Sequence, residues 1–135
     1  MAIEQIQSPD VAEPAAQLWS NCFRVGDTVY VSGLTARDQN LKAAGGDEYA
    51  QAKVIFSRIA ALMKVAGGSL RDVVKLNIYL TNIGNRELVW RARREAFDGA
   101  FPVSTLVEVS KLAPGIAVEI EAVGVLNQGG RPGTK

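Results

Sequence analysis

Residues Phe101–Val125, FPVSTLVEVSKLAPGIAVEIEAVGV, read as two strands around a Pro-Gly turn. Glu119 sits inside an otherwise apolar second strand, among Val118, Ile120, Ala122 and Val123. A carboxylate in that setting marks either a solvated sheet face or a functional acid. Glu121 has the same parity, so alternation alone is satisfied by a polar-out face.

Working outward, Arg86–Phe97 predicts a helix with an arginine-rich polar face, closed by Gly99 and Pro102. Before it, Val73–Leu80 alternates, with Val74, Leu76, Ile78 and Leu80 expected on one face. A longer helix is predicted over Glu48–Ala66, because Ala52, Ile55, Ile59, Leu62, Met63 and Ala66 fall at helical spacing. Gly67-Gly68 ends it as a left-handed cap. Arg37–Asp47 reads as a loop. Trp19–Phe23 and Thr28–Ser32 read as strands joined at Gly26-Asp27. Residues 1–15 read as an extended lead-in and 128–135 as a disordered tail, so 1–135 forms a single domain.

This order gives an α/β (α+β) layout: a mixed β-sheet with two helices on one face. Two helices cover only one face of such a sheet. The abundance of Val, Ile and Tyr in the strands argues against a wet second face, and homo-oligomerisation is the economical expectation.

Composition narrows the chemistry. At 135 residues and net charge +1, the chain offers no general footprint for nucleic acid, although Arg91, Arg93 and Arg94 form a local cluster. There is no histidine and a single cysteine, Cys22. Ser-His-Asp and Cys-His nucleophile pairs are thereby removed, and a zinc site would have to be mostly carboxylate. Acid–base work falls to Glu, Asp, Lys, Tyr, the cysteine or water. The N-terminal residues lack a signal-peptide pattern, and no stretch approaches the roughly 18 apolar residues of a membrane span. A cytoplasmic location is expected.

The chain resembles the RidA/YjgF group of small imine/enamine deaminases. The likeness rests on Gly26-Asp27 with VYVSG (29–33), AGGSLRDVVKLNIYLTN (66–82), REAF (94–97), FPVSTLVEVSKLAPG (101–115) and VEIEAV (118–123). It implies a chorismate-mutase-like fold in a barrel-like homotrimer, with sites in the clefts between subunits and no metal or organic cofactor. The implied reaction is hydrolysis of a reactive 2-imino or 2-enamino acid to a 2-keto acid and ammonia.

Carried over by position, Glu119 becomes the water-positioning acid, Ser32-Gly33 line the site, and Trp19 takes the aromatic place. The pattern departs at Pro102-Val103-Ser104-Thr105, where Ser104 stands in place of the family's carboxylate-binding arginine. A serine brings no charge, and losing a charged hydrogen-bond partner typically forfeits about 1.5–3 kcal/mol. Ser104 and Thr105 are then uncharged substrate contacts, and Arg91 is a candidate replacement cation. The resulting expectation is a cofactor-free hydrolase of a reactive C=N metabolite, larger or less acidic than the small imino acids. A catalytically silent ligand-binding trimer is the alternative. An endoribonuclease or translation inhibitor is disfavoured by the near-neutral charge and the lack of histidine.

Overall fold

The run Val118–Val125 forms an interior strand of a six-stranded sheet in the computed structural model, which describes residues 2–133. In chain order the elements are β1 (Ile3–Gln5), β2 (Cys22–Val25), β3 (Thr28–Leu34), α1 (Glu48–Ala66), β4 (Val73–Leu80), α2 (Arg86–Phe97), β5 (Val103–Glu108) and β6 (Val118–Val125). Across the sheet they run β1-β2-β3-β6-β4-β5, with β4 and β5 parallel and every other pair antiparallel. The mixed sheet with two helices on one face matches the expectation.

Helix α1 follows its sequence signals closely. Asp47 caps it by accepting from the Ala50 N–H at 2.9 Å, and Gly67 ends it with φ of 106°, a left-handed value that glycine adopts freely. Ala52, Ile55, Phe56, Ile59, Leu62 and Met63 are buried against Val118, Ile120 and Ala122 of β6 and Val29 and Val31 of β3. Each large apolar side chain so buried contributes about 1.5–3 kcal/mol. Phe97 of α2 meets Phe56 edge-on, with ring centroids 5.3 Å apart. Gln51 fixes the approach to β6: its Nε2 donates to the Gly46 and Gly115 carbonyls, and its Oε1 accepts from the Ala117 N–H.

Several expectations need correction. The last two strands are not a hairpin: β5 pairs with β4 in parallel, and β6 lies on the other side of β4. A parallel neighbour requires a crossover, which α2 provides, so the Pro-Gly turn belongs to a longer connection. In β4 it is Val73, not Val74, that joins the buried row, because the pairing with β6 slips between Val73 and Lys75. Part of the lead-in, Ile3–Gln5, pairs with β2 as an edge strand.

Finally, Trp19 lies outside any strand. The β2–β3 pairing stops at Cys22–Val31, where β3 bulges, and only the bond from the Ser32 N–H to the Asn21 carbonyl continues it. No helix among the described residues is long and apolar enough to cross a membrane.

The segment expected to be a loose tail carries an anchor; its last two positions, 134–135, lie outside the described residues. Arg131 is buried, donates to the carbonyls of Ala100, Leu70 and Val73, and lies over the Phe97 ring. Its guanidinium thus ties the end of the chain to the start of β4 and the end of α2. Truncating it leaves buried carbonyls without donors, and hydrogen bonds to charged groups are worth about 1.5–3 kcal/mol. Arg131→Ala should therefore destabilise the fold by about 2–4 kcal/mol in urea denaturation. An unchanged midpoint would show that the anchor is dispensable.

Candidate functional site

The site begins with a bulge. Val31 pairs with Ala122 and Leu34 with Ile120, so two residues of β3, Ser32 and Gly33, stand against the single residue Glu121 of β6. The extra residue lets Val31 and Leu34 both point into the core while Ser32 and Gly33 turn to the opposite face. There Gly33 meets the side chain of Glu119. A β-carbon on Gly33 would lie 2.9 Å from the Glu119 Cδ, closer than side chains pack, so only glycine admits the carboxylate at this place.

Trp19, Ser32, Gly33, Thr35, Arg37 and Glu119 line one open cavity of about 310 Å³. The Ser32 hydroxyl is buried and has no hydrogen-bond partner among the described residues. An orphaned buried hydroxyl costs about 1–3 kcal/mol, and it remains available to a ligand or water in the cavity. Burial pushes the Glu119 carboxyl above the ordinary carboxylate range, the nearby Glu121 pushes it further, and the Arg37 guanidinium partly offsets both.

Glu121 has a different environment. Its Oε1 accepts from Asn77 Nδ2 at 3.0 Å and from the Tyr79 hydroxyl at 2.8 Å, as suits a structural acid. The bond to Glu121, with burial and the charges of Glu121 and Glu119, raises the Tyr79 phenol. Cys22 is a buried thiol pushed up to about 12 by burial and by Glu13, so it is no nucleophile at neutral pH.

Of the residues singled out in the sequence, the fold brings together Trp19, Ser32, Gly33 and Glu119. The others stand elsewhere in the single chain. Ser104 pairs with Leu76, whose side chain is in the core, so Ser104 points to the helix side of β5. There its Oγ accepts from Arg93 Nη1 at 2.9 Å. Thr105 shares the outward parity of its partner Asn77 but lies two strands from β6. Arg91 stacks over the Tyr49 ring at 3.7 Å, within the helix layer.

Two cations escaped the sequence reading. Arg93 was one of a surface cluster, with nothing to mark its bond to Ser104. Arg37 sits in a loop, where no periodicity says which way a side chain points.

The family model described as Endoribonuclease L-PSP matches residues 10–126, most of the chain. The chain belongs to the RidA/YjgF family. Among curated relatives, a RutC family protein of Pyrococcus abyssi is 31% identical over 124 residues, covering 91% of this chain and 97% of its own. A 2-iminobutanoate/2-iminopropanoate deaminase of Dermatophagoides farinae is 28% identical over 127 residues, covering 93% and 99%. The crystal structure of RidA from an Antarctic Psychrobacter superposes with a TM-score of 0.82 at 34% identity, over 91% of this chain and 99% of that one.

In this RidA/YjgF protein the raised Glu119 carboxyl has a consequence for stability. The folded chain holds that proton more tightly than the unfolded chain, so stability falls as pH rises from the ordinary carboxylate value through the raised one. A glutamine at the position carries no such penalty. Glu119→Gln should raise the unfolding temperature at neutral pH, and the gain should vanish below about pH 4, where both forms are uncharged. A gain that persists in acid would assign the effect to packing instead of charge.

Proposed function

We propose that this protein is a cofactor-free hydrolase of a reactive imine or enamine, with Glu119 handling the attacking water. The observation that carries the reading is the Glu119 carboxylate held against Gly33 beside an unpartnered Ser32 hydroxyl. The names of several curated relatives, 2-iminobutanoate/2-iminopropanoate deaminases, support the class of chemistry.

An imine carbon is already electrophilic, so the reaction needs a placed water and a proton carrier more than a strong nucleophile. Glu119 in its ionised form accepts a proton from the water as the oxygen bonds to the imine carbon. The electrons of the C=N π bond move to nitrogen, which takes up a proton. The resulting carbinolamine then collapses: its C–N bond breaks, ammonia leaves with a second proton, and the carbonyl forms. The Ser32 hydroxyl, free of internal partners, steadies the water or the developing alcohol oxygen.

On the same reading, the site is completed between subunits of a homotrimer. Phe23, Tyr30, Val103 and Val107 are exposed apolar side chains on strands of the sheet, which supports contact with further copies. Thr105, exposed on the edge strand β5, would then reach the cavity of a neighbouring subunit, while Ser104 and Arg91 stay with the helix layer.

General-base help of this kind is worth about 10²–10⁴-fold. Glu119→Gln should lower ammonia release from freshly generated 2-iminobutanoate by that factor while the oligomer stays intact by light scattering. Gly33→Ala, which drives a methyl into the carboxylate, should do the same. Turnover by the wild type that survives both changes would remove Glu119 from the chemistry.

A further inference from the structure

The candidate cavity holds a cation as well as an acid. Arg37 lines it together with Glu119, Trp19 and Ser32, and its charge is felt by the Glu119 carboxyl. Yet among the described residues Arg37 forms no ion pair within 4 Å and no side-chain hydrogen bond. It is half-buried, anchored only through its backbone, by the bridge to Ala43. A guanidinium in that state has five donors to offer, and its planar fork suits a carboxylate. The cavity is therefore lined by groups of opposite charge, Arg37 and Glu119, together with Trp19.

The other candidate cations are otherwise engaged. Arg93 donates to Ser104 and stands beside Arg94, whose like charge disfavours its ionised form, with burial the larger cause. Arg91 lies on Tyr49. Arg58 donates to the Thr35 carbonyl. Arg37 alone among these shares a cavity with Glu119.

We propose that Arg37 is the specificity-determining residue of this site, gripping the carboxylate of an anionic C=N substrate and turning its imine carbon toward Glu119. The substrate class rests on the hydrolase reading above; the anion recognition by Arg37 does not. A guanidinium and a carboxylate lining one cavity distinguish the anionic end of a ligand from its electrophilic carbon. A neutral imine would lack that grip, and a cationic one would be repelled.

The test uses the whole protein and a stable probe, 2-oxobutanoate, against its uncharged methyl ester, by isothermal titration calorimetry. The wild type should bind the acid more tightly than the ester. Arg37→Gln should weaken the acid at least tenfold and leave the ester unchanged. Arg37→Lys, which keeps the charge but loses the fork, should give an intermediate loss and serves where the glutamine variant does not fold. Equal affinities for acid and ester in the wild type would overturn the assignment, as would equal acid binding by all three proteins.

Glu119→Gln separates recognition from tuning. If Arg37 acts only through the Glu119 charge, the effect of Arg37→Gln on acid binding disappears in that background, which also overturns the proposal. The two readings fail separately. Acid binding that depends on Arg37, without ammonia release from any imine, removes the hydrolase and leaves this inference standing. Imino-acid turnover with an unchanged KM in Arg37→Gln does the reverse.

Discussion

The contact between the Glu119 carboxylate and the backbone of Gly33 makes three demands on the fold at once. Strands β3 and β6 must be neighbours, β3 must bulge between Val31 and Leu34, and the bulged residue nearest the acid must lack a side chain. The first demand is met by the apolar half of β6. Val118, Ile120 and Ala122 are buried beneath α1, and this fixes the register that turns Glu119 the other way. A slip of one residue would bury two carboxylates and expose the apolar row, so the packing of the helix face specifies the geometry of the opposite one.

Two acids of the same strand face have thereby been given different surroundings. Glu121 is held in the sheet by Asn77 and Tyr79, both donating to its Oε1. Glu119, one pleat away, has burial and a like charge against it and only Arg37 in its favour. Pairs of carboxyl groups whose environments differ in this way are how proteins separate structural from reactive acids. The undersatisfied Ser32 hydroxyl belongs to the same pattern: the local cost in stability is concentrated in one cavity.

Much of this was legible in the sequence. Helix α1 and helix α2 follow from periodicity, caps and breakers, and Glu119 stood out because a carboxylate interrupts an apolar alternation. What the sequence could not display was pairing between distant segments. The Pro-Gly turn is a good hairpin signal, yet the parallel partnership of β5 with β4 depends on the α2 crossover, which makes β4 the common neighbour. Bulges are equally hidden: one extra residue at Ser32-Gly33 and another at Val74 shift side-chain parity without changing composition. The same limit explains Arg131 and Arg37. Both lie in glycine- or loop-rich stretches, where direction is set by tertiary contacts alone.

Ser104 shows why the position of a cation is less constrained than that of the acid. Its place on β5 faces the helix layer, where Arg93 reaches it from α2. A guanidinium sits on a long, flexible stem, so strand, helix and loop can each deliver one to a given region. Glu119 has no such freedom, because its position depends on the β6 register, the bulge and Gly33 together. Charge recognition can therefore shift from a strand to the loop that begins at Arg37 without repacking the core. The placement of Glu119 is built into the sheet, whereas that of Arg37 depends on a loop that the sheet leaves free.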